Sequence, residues 1–400
     1  MTGLVLYDDA QARTFEPFAL TRPAGELRAG GELIRRRWQR VTGLTAIGFV
    51  GAPHLAAFEE FDAPAAMADA LPAGTLLVNA RCAPALARRI PPGATQVLVA
   101  GRTAAVRLAQ PLPLEALRDG TATLESLAPA TGVSAIVDGW WLDAPWDLVT
   151  HLPPMLAADV LALAPADRAR PADLTVLGEH PVHVDPTATI EPMVLVDATA
   201  GPVLVGRGAR VQAFTRLVGP CIIGEDVVIG GGRVACCSIG ERAKVHGEIA
   251  VTIVLGHANK GHDGFVGHSV IGRWANLGAG TITSNLKNTY GTVSLWTPTS
   301  AERDTGAQFL GSLLGDHVKT GIGTRLSTGT VVGAGASLFG DAMPPKVVAP
   351  FSWGGHPGAP VFALEKFLEV TTRVLARREV PVTSGLRAHL AAVHAARWTP

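Results

Sequence analysis

The sequence predicts an α/β domain, then a parallel β-helix built from hexapeptide repeats, then a helical tail. Three observations carry this expectation. Glycine is abundant, 45 of 400 residues, and concentrates after residue 200. Through that same region aliphatic residues recur at every sixth position. Ahead of it, short apolar runs alternate with helical or irregular stretches.

The first region spans 1–170. Residues 4–7, 45–50, 75–78 and 96–99 read as strands, 31–40 and 153–163 as helices. Apolar strands interleaved with helices predict a mostly parallel, Rossmann-like sheet. Residues 171–186 are rich in Pro, Asp and His and read as a linker.

From 187 to 345 the period is six. The aliphatic series runs Val205, Val211, Leu217, Ile223, Ile229, resumes at Ile239, Val245 and Val251, then at Ile271 and Leu277. It returns at Leu314, Thr320, Leu326, Val332 and Leu338. A period of six is neither helical nor simple strand alternation. It is the hexad of a β-helix: each hexad makes one short strand and one turn, and the aliphatic side chain points inward. Glycine after the aliphatic residue, as at Gly224, Gly240, Gly272 and Gly333, permits tight corners. Residues 284–312 break the hexads with Asn285, Lys287, Asn288, Tyr290, Trp296 and Arg303. A long polar loop in a solenoid tends to sit at a binding surface. The tail, 346–400, holds helical patterns over 361–377 and 384–397.

Formal net charge is zero and no basic run occurs, which disfavours a nucleic-acid partner. Four cysteines, with Cys236 and Cys237 adjacent, form neither a disulfide framework nor a CxxC metal pattern. They fit a reducing cytoplasm, and a cytoplasmic protein is expected. The opening residues lack a signal-peptide pattern, and no run of about twenty apolar residues suggests a membrane span.

The chemistry-bearing residues cluster at His257, Asn259, Lys260, His262 and Asp263, followed by Asn276 and the run from Gly278 to Asn285. A coil takes about eighteen residues. His262 and the residues near 280 therefore lie on adjacent coils and one face. N-acylation fits this set. A neutral His262 would take a proton from an amine attacking a thioester. Backbone N–H groups of Gly278, Ala279 and Gly280 would stabilise the oxyanion. Lys260, Lys287 and Arg273 would hold a sugar phosphate, and Asn276 and Asn285 sugar hydroxyls. A zinc site is the rival. His257 and His262 form an H-x4-H pair similar to that of gamma-class carbonic anhydrases, yet no His lies between Val184 and Lys244 to supply a third ligand. No metal is expected there. A solenoid serving only as a scaffold is the plain alternative.

The run 245–290, with HGEIAVTIVLGHANKGHDGFVG and SVIGRWANLGAGTITSNLKNTYG, resembles the bifunctional N-acetylglucosamine-1-phosphate uridyltransferase/glucosamine-1-phosphate acetyltransferase family, and especially its alternative bacterial branch. The resemblance extends to the start, DDAQARTFEPFALTRPAGELRAG, and to residues 349–355. It implies a nucleotidyltransferase-like N-terminal domain, a left-handed coil, and a homotrimer with acyl-CoA sites between subunits. It implies acetyl-CoA as co-substrate and glucosamine 1-phosphate as the type of acceptor. His262 falls at the family's catalytic histidine, Phe265 where a tyrosine contacts the acceptor, and Asn276 and Asn285 at its two asparagines. Asp263, Lys260, Lys287 and Tyr290 are further substrate-binding expectations, and Gly278, Ala279, Thr281 and Ser284 acyl-CoA or oxyanion ones.

The N-terminal motifs depart from the family. The loop glycines and the lysine are missing, and Arg81 of Asn79-Ala-Arg81 stands where a metal-binding aspartate is expected. An arginine cannot bind Mg²⁺. Two expectations follow: a degenerate module, or a rearranged site for a nucleoside triphosphate or sugar phosphate. The second would use Asp8, Asp9, Arg13, Arg22, Arg28, Asn79 and Arg81, with Mg²⁺ if it transfers a nucleotidyl group.

Overall fold

The computed structural model describes residues 3–164 and 173–400. Within them the chain forms two compact units: residues up to 145 together with 372–396, and residues 146–371 together with 397–400. The helix Leu152–Leu163 and the first solenoid strand, Thr175–Leu177, thus group with the repeats, and the tail is divided between the units. Of the expected linker, residues 171 and 172 lie outside the described residues. The strand Val182–Val184 already belongs to the coil, so the solenoid begins before 187.

The first unit holds a six-stranded sheet in the order Ala46–Val50, Leu4–Tyr7, Leu76–Asn79, Arg102–Arg107, Gln96–Val99, Ser134–Val137. All four expected strands are present. The sheet is mixed rather than mostly parallel: Arg102–Arg107 pairs antiparallel with both neighbours. A hairpin turn at Ala100-Gly101, both with positive φ, reverses the chain where a helical crossover was expected. The helix Ile34–Thr42 buries Ile34, Arg37, Trp38 and Val41, and Gly43 ends it in the left-handed conformation. Arg37 is wholly buried but not wasted: its guanidinium donates to the carbonyls of Pro84 and Ala29.

The second unit is the parallel β-helix. One of its faces is nine strands long, from Val182–Val184 to Val347–Val348, one strand per coil. The hexad residues form its core: Val205, Val211, Leu217, Ile223, Ile229, Ile239, Leu277, Leu314 and Val332 are fully or almost fully buried. Burial of a stacked aliphatic column against its neighbours is what holds such a coil together, at ~25 cal/mol per Å² of apolar surface. Val251 is the exception. It stands half-buried at a left-handed corner, φ 47°, and Ile249 takes the inward position instead. A second column of left-handed corners runs through Asp226, Arg242, His257, Trp274 and His317, with φ between 53° and 61°. Each accepts an unfavourable backbone because a ladder of hydrogen bonds fixes it, as from the His257 amide to the Glu241 carbonyl.

The tail helices are Leu364–Ala376 and Ser384–Ala395, close to the expected spans. Among the described residues no helix is long and apolar enough to cross a membrane.

Candidate active site

The strand Asn259–Lys260 pairs with Lys244–Ala250 on one side and with Asn276–Leu277 on the other. Asn259 lies directly opposite Asn276. Counting three residues on from each, His262 stands over Ala279, one coil apart. The neighbouring bond fixes this stacking: the Gly280 amide donates to the Asp263 carbonyl at 3.0 Å. Strand neighbours in a sheet lie about 4.8 Å apart, so His262 and Ala279 are neighbours on successive coils.

His262 is exposed. The Gly278 amide is committed to Thr320, through both its carbonyl and its hydroxyl, and the Gly280 amide to Asp263. The Ala279 N–H makes no hydrogen bond among the described residues. Of the three expected oxyanion donors it is the one left to serve. Thr281 is completely buried, its hydroxyl bonded to that of Thr320, so it cannot meet a ligand as expected. Ser284 is exposed and bonds the Leu286 carbonyl.

Asn276 is exposed, its Oδ1 accepting from Asn259 Nδ2 at 2.8 Å. Asn285 donates through Nδ2 to His268 Nδ1 at 2.8 Å. Burial holds the His268 imidazole below its usual pKa, which suits it as a neutral acceptor. The ring of Phe309 stacks on His268 at 5.4 Å. Phe265 lies across from Glu248, which lies across from Arg233. Arg233 approaches Glu248 at 3.6 Å. This column adds a cation that the motifs did not reveal, because fifteen residues separate Arg233 from Glu248 in sequence. Gly267 makes room here: a Cβ on it would meet Phe265 Cζ at 2.5 Å and Asn285 Nδ2 at 2.8 Å.

Asp263 is exposed and accepts at Oδ1 from His246 Nε2 at 2.9 Å. The other ring nitrogen of His246 sits 2.7 Å from the Gly230 carbonyl. Its two ring nitrogens thus tie the Asp263 carboxylate to the Gly230 backbone two coils away. His246 was not expected, since it falls outside the His-rich run. Lys260 departs from its expected role. It is 2% exposed and occupies an inward hexad position, so it touches no substrate. Arg273 is buried too, paired with Glu241 at 2.6 Å and beside His257 Nδ1 at 3.3 Å. It is a structural cation rather than a phosphate ligand. Lys287 and exposed Tyr290 lie together in the inserted loop, the Tyr290 amide donating to the Lys287 carbonyl.

In the first unit a cavity of about 260 Å³ is lined by Asp9, Gln11, Asn79, Arg81, Arg102, Thr121, Glu125 and Trp141, among others. Asp9 and Arg81 are already spent on each other, and Glu125 accepts from the Thr103 amide. Asp9 accepts from Asn79 at 2.8 Å and from Arg81 at 2.7 Å. Burial would raise the Asp9 carboxyl, but the hydrogen bonds and charge of Arg81 outweigh it and hold the group below the usual range. Arg81 also binds Asp143 at 2.8 Å. Arg102 binds Asp143 too, and lies 3.9 Å over the Trp141 ring. The remaining expected cations turn inward. Arg13 donates to the carbonyls of Asp8, Leu117 and Arg118. Arg22 pairs with Glu60, and Arg28 bonds the Gly31 carbonyl. Asp8 is buried, accepts from the Ala24 amide, and burial pushes its carboxyl up to about 7. These residues do not fit a magnesium ion: both Asp9 oxygens already face N–H donors, and Asp8 is sealed from solvent.

Fold and site together describe a chain that joins an α/β domain to a parallel β-helix of hexapeptide repeats. Residues 4–167 match the family described as sugar nucleotidyl transferase. The chain is also similar to proteins named as bifunctional. It is 30% identical over 210 residues to the bifunctional protein GlmU of Paraburkholderia xenovorans, covering 46% of this chain and 41% of that one. It is 30% identical over 97 residues to a bifunctional sugar-1-phosphate nucleotidylyltransferase/acetyltransferase of Sulfurisphaera tokodaii, covering 24% of each. The matched segments thus span less than half of those relatives. Among solved structures, a hexapeptide transferase family protein from Anaplasma phagocytophilum aligns with 56% of this chain and 98% of its own, at 16% identity and TM-score 0.26. The family model and the sequence relatives bear out the resemblance read from the motifs, and these relatives are transferases.

Proposed function

We propose that the solenoid is an acyl-CoA-dependent N-acyltransferase for an amino-sugar 1-phosphate, with His262 as general base. The observation that carries this reading is the stacking of exposed His262 over the uncommitted amide of Ala279. The acceptor amine attacks the thioester carbonyl, and His262 takes the amine proton. The carbonyl oxygen gains negative charge opposite the Ala279 N–H. The C–S bond then breaks, and the protonated imidazole returns the proton to the leaving thiolate. The amide product and free coenzyme A thiol account for every atom.

Asn276 and Asn285, with Phe265 on the preceding coil, form the acceptor face, and Arg233 and Lys287 are the cations available to its phosphate. Acetyl-CoA is the co-substrate this reading takes first. A relative whose name couples sugar-1-phosphate with acetyltransferase supports that choice. A homotrimer goes with it: Met193 and Phe214, at corners of successive coils, are 71% and 76% exposed, an apolar pair that a neighbouring subunit would cover.

A second reading has its own observation. The family match over 4–167 and the cavity beside Asp9 and Arg81 support binding of a sugar phosphate or nucleotide in the first unit. With Asp9 paired to Arg81, that cavity is better suited to holding such a ligand than to nucleotidyl transfer.

Thiol release from acetyl-CoA in the presence of glucosamine 1-phosphate tests the first reading. Release that depends on both substrates is expected. Pyrophosphate release from a nucleoside triphosphate and a sugar phosphate, without thiol release, would replace it with the second.

A further inference from the structure

We infer that Lys260 is a positioning residue: from inside the solenoid its ammonium group holds the turn that presents His262. The inference rests on the acyltransferase reading for its kinetic consequence, but its structural content stands apart from that reading.

The hexad column explains why Lys260 is unusual. Val245 pairs with Lys260 on the coil before, and the Asn259–Asn276 pairing sets Leu277 beside it on the coil after. Both neighbours are buried members of the apolar core, and at this level of the column only Lys260 carries charge. A buried ammonium is costly unless its hydrogens find acceptors. Here Nζ donates to the His246 carbonyl at 3.0 Å and to the His262 carbonyl. An apolar residue would fill the position at lower cost, so the charge is spent on those two carbonyls.

Three contacts converge on one turn. Lys260 grips the His262 carbonyl from within. His246 grips the Asp263 carboxylate from outside at 2.9 Å. The Gly280 amide binds the Asp263 carbonyl from the next coil. Together they fix the backbone of the turn that carries His262 relative to Ala279 on the next coil. Geometry of this kind matters kinetically, because a misplacement of about 1 Å at a reacting group costs up to about a hundredfold in rate.

The ammonium is also titratable. Burial lowers its pKa to about 8, opposed by the nearby Asp263 carboxylate. The titratable groups around it are His246 on the preceding coil and His262 and Asp263 on its own turn; Val245 and Leu277 bring none, and Lys244 is exposed on the outer face of its strand. Above about pH 8 the group becomes a neutral amine and its hold on the carbonyls weakens.

The test is Lys260→Met, which keeps the length and suits an apolar column. Circular dichroism and thermal melting are expected to match or exceed wild type. The kcat for acetyl-CoA and glucosamine 1-phosphate is expected to fall about ten- to a hundredfold with little change in KM. The ratio of wild-type to variant kcat is expected to shrink as pH rises through about 8, and ionisation of the substrate amine cancels in that ratio. Unchanged kcat, or a loss that is the same at every pH, would overturn the inference. Hydrogen exchange over residues 260–266 separates this from the function itself. If wild type releases no thiol, the acyltransferase reading fails, while faster exchange confined to that turn in Lys260→Met still supports the clamp. Equal exchange overturns it. Should the variant fail to fold, the same exchange followed in wild type decides: loosening of the turn above about pH 8 supports the clamp, and none contradicts it.

Discussion

The two units spend their charged residues in opposite ways. In the first, Asp9, Arg81, Arg102 and Asp143 pair with one another around a cavity, while Arg13, Arg22 and Arg28 are consumed inside the unit. In the second, buried charges such as Lys260 and Arg273 brace the coil, and His262 faces solvent one coil from an Ala279 amide that has no partner among the described residues. A residue type suited to catalysis is therefore no guide by itself. What distinguishes the regions is whether the chain has already supplied each polar group with a partner.

The largest effect that would sharpen this contrast is on turnover. Replacing His262 with Ala is expected to lower kcat about 10²- to 10⁴-fold, the usual contribution of a general base, with the melting temperature unchanged. Thiol-release kinetics beside a thermal melt would read both. A loss of stability equal to the loss of rate would blur the contrast instead.

In the first unit the expected effect is on folding. Arg81→Ala leaves the half-buried Asp9 carboxylate without its cation and is expected to cost about 1–3 kcal/mol in urea unfolding of that unit. A cost below about 1 kcal/mol, the range of exposed pairs, would mean that Arg81 is held available for a ligand.

Asp8 gives a pH signature. Its carboxyl is raised on folding to about 7, so the folded state binds a proton that the unfolded chain releases near the ordinary value. Stability is then fully present below about pH 4 as far as this group is concerned, and falls with a slope of up to ~1.4 kcal/mol per pH unit until about pH 7. Asp8→Asn is expected to remove that slope. Unfolding curves that keep it in the variant would assign it to another group.

The smallest effect concerns the acceptor face. Gly267→Ala would press against Phe265 and Asn285 and is expected to raise the acceptor KM a few-fold at unchanged acetyl-CoA KM. Equal changes in both would show that Gly267 serves the coil, not the acceptor.

Much of the fold was legible because hexads report burial directly. Val205, Ile223 and Leu314 announce their inward positions by spacing alone. The reading slipped where the spacing changed: between Val245 and Ile249 the chain shortens a coil, so the six-residue count fell on Val251 at a corner. The mixed sheet was hidden because a hairpin through Ala100-Gly101 carries no helix-like pattern to flag the reversal. At the site, motif spacing led to His262 and the asparagines, whereas direction could not be read. Lys260 and Thr281 lie in the right stretch and face inward. Arg233 and His246 lie outside the stretch and are brought to it by the pitch of the coil, which sequence distance conceals.

The central claim is that acyl transfer belongs to the solenoid turn and not to the cavity of the first unit. The most direct test is the initial rate of thiol release from acetyl-CoA with glucosamine 1-phosphate, measured for wild type, His262→Ala and Arg102→Ala. Arg102 lines the cavity and is exposed enough to be replaced without unfolding the unit. The account predicts wild-type rate in Arg102→Ala and almost none in His262→Ala. Full activity in His262→Ala, or loss of thiol release in Arg102→Ala alone, would contradict it.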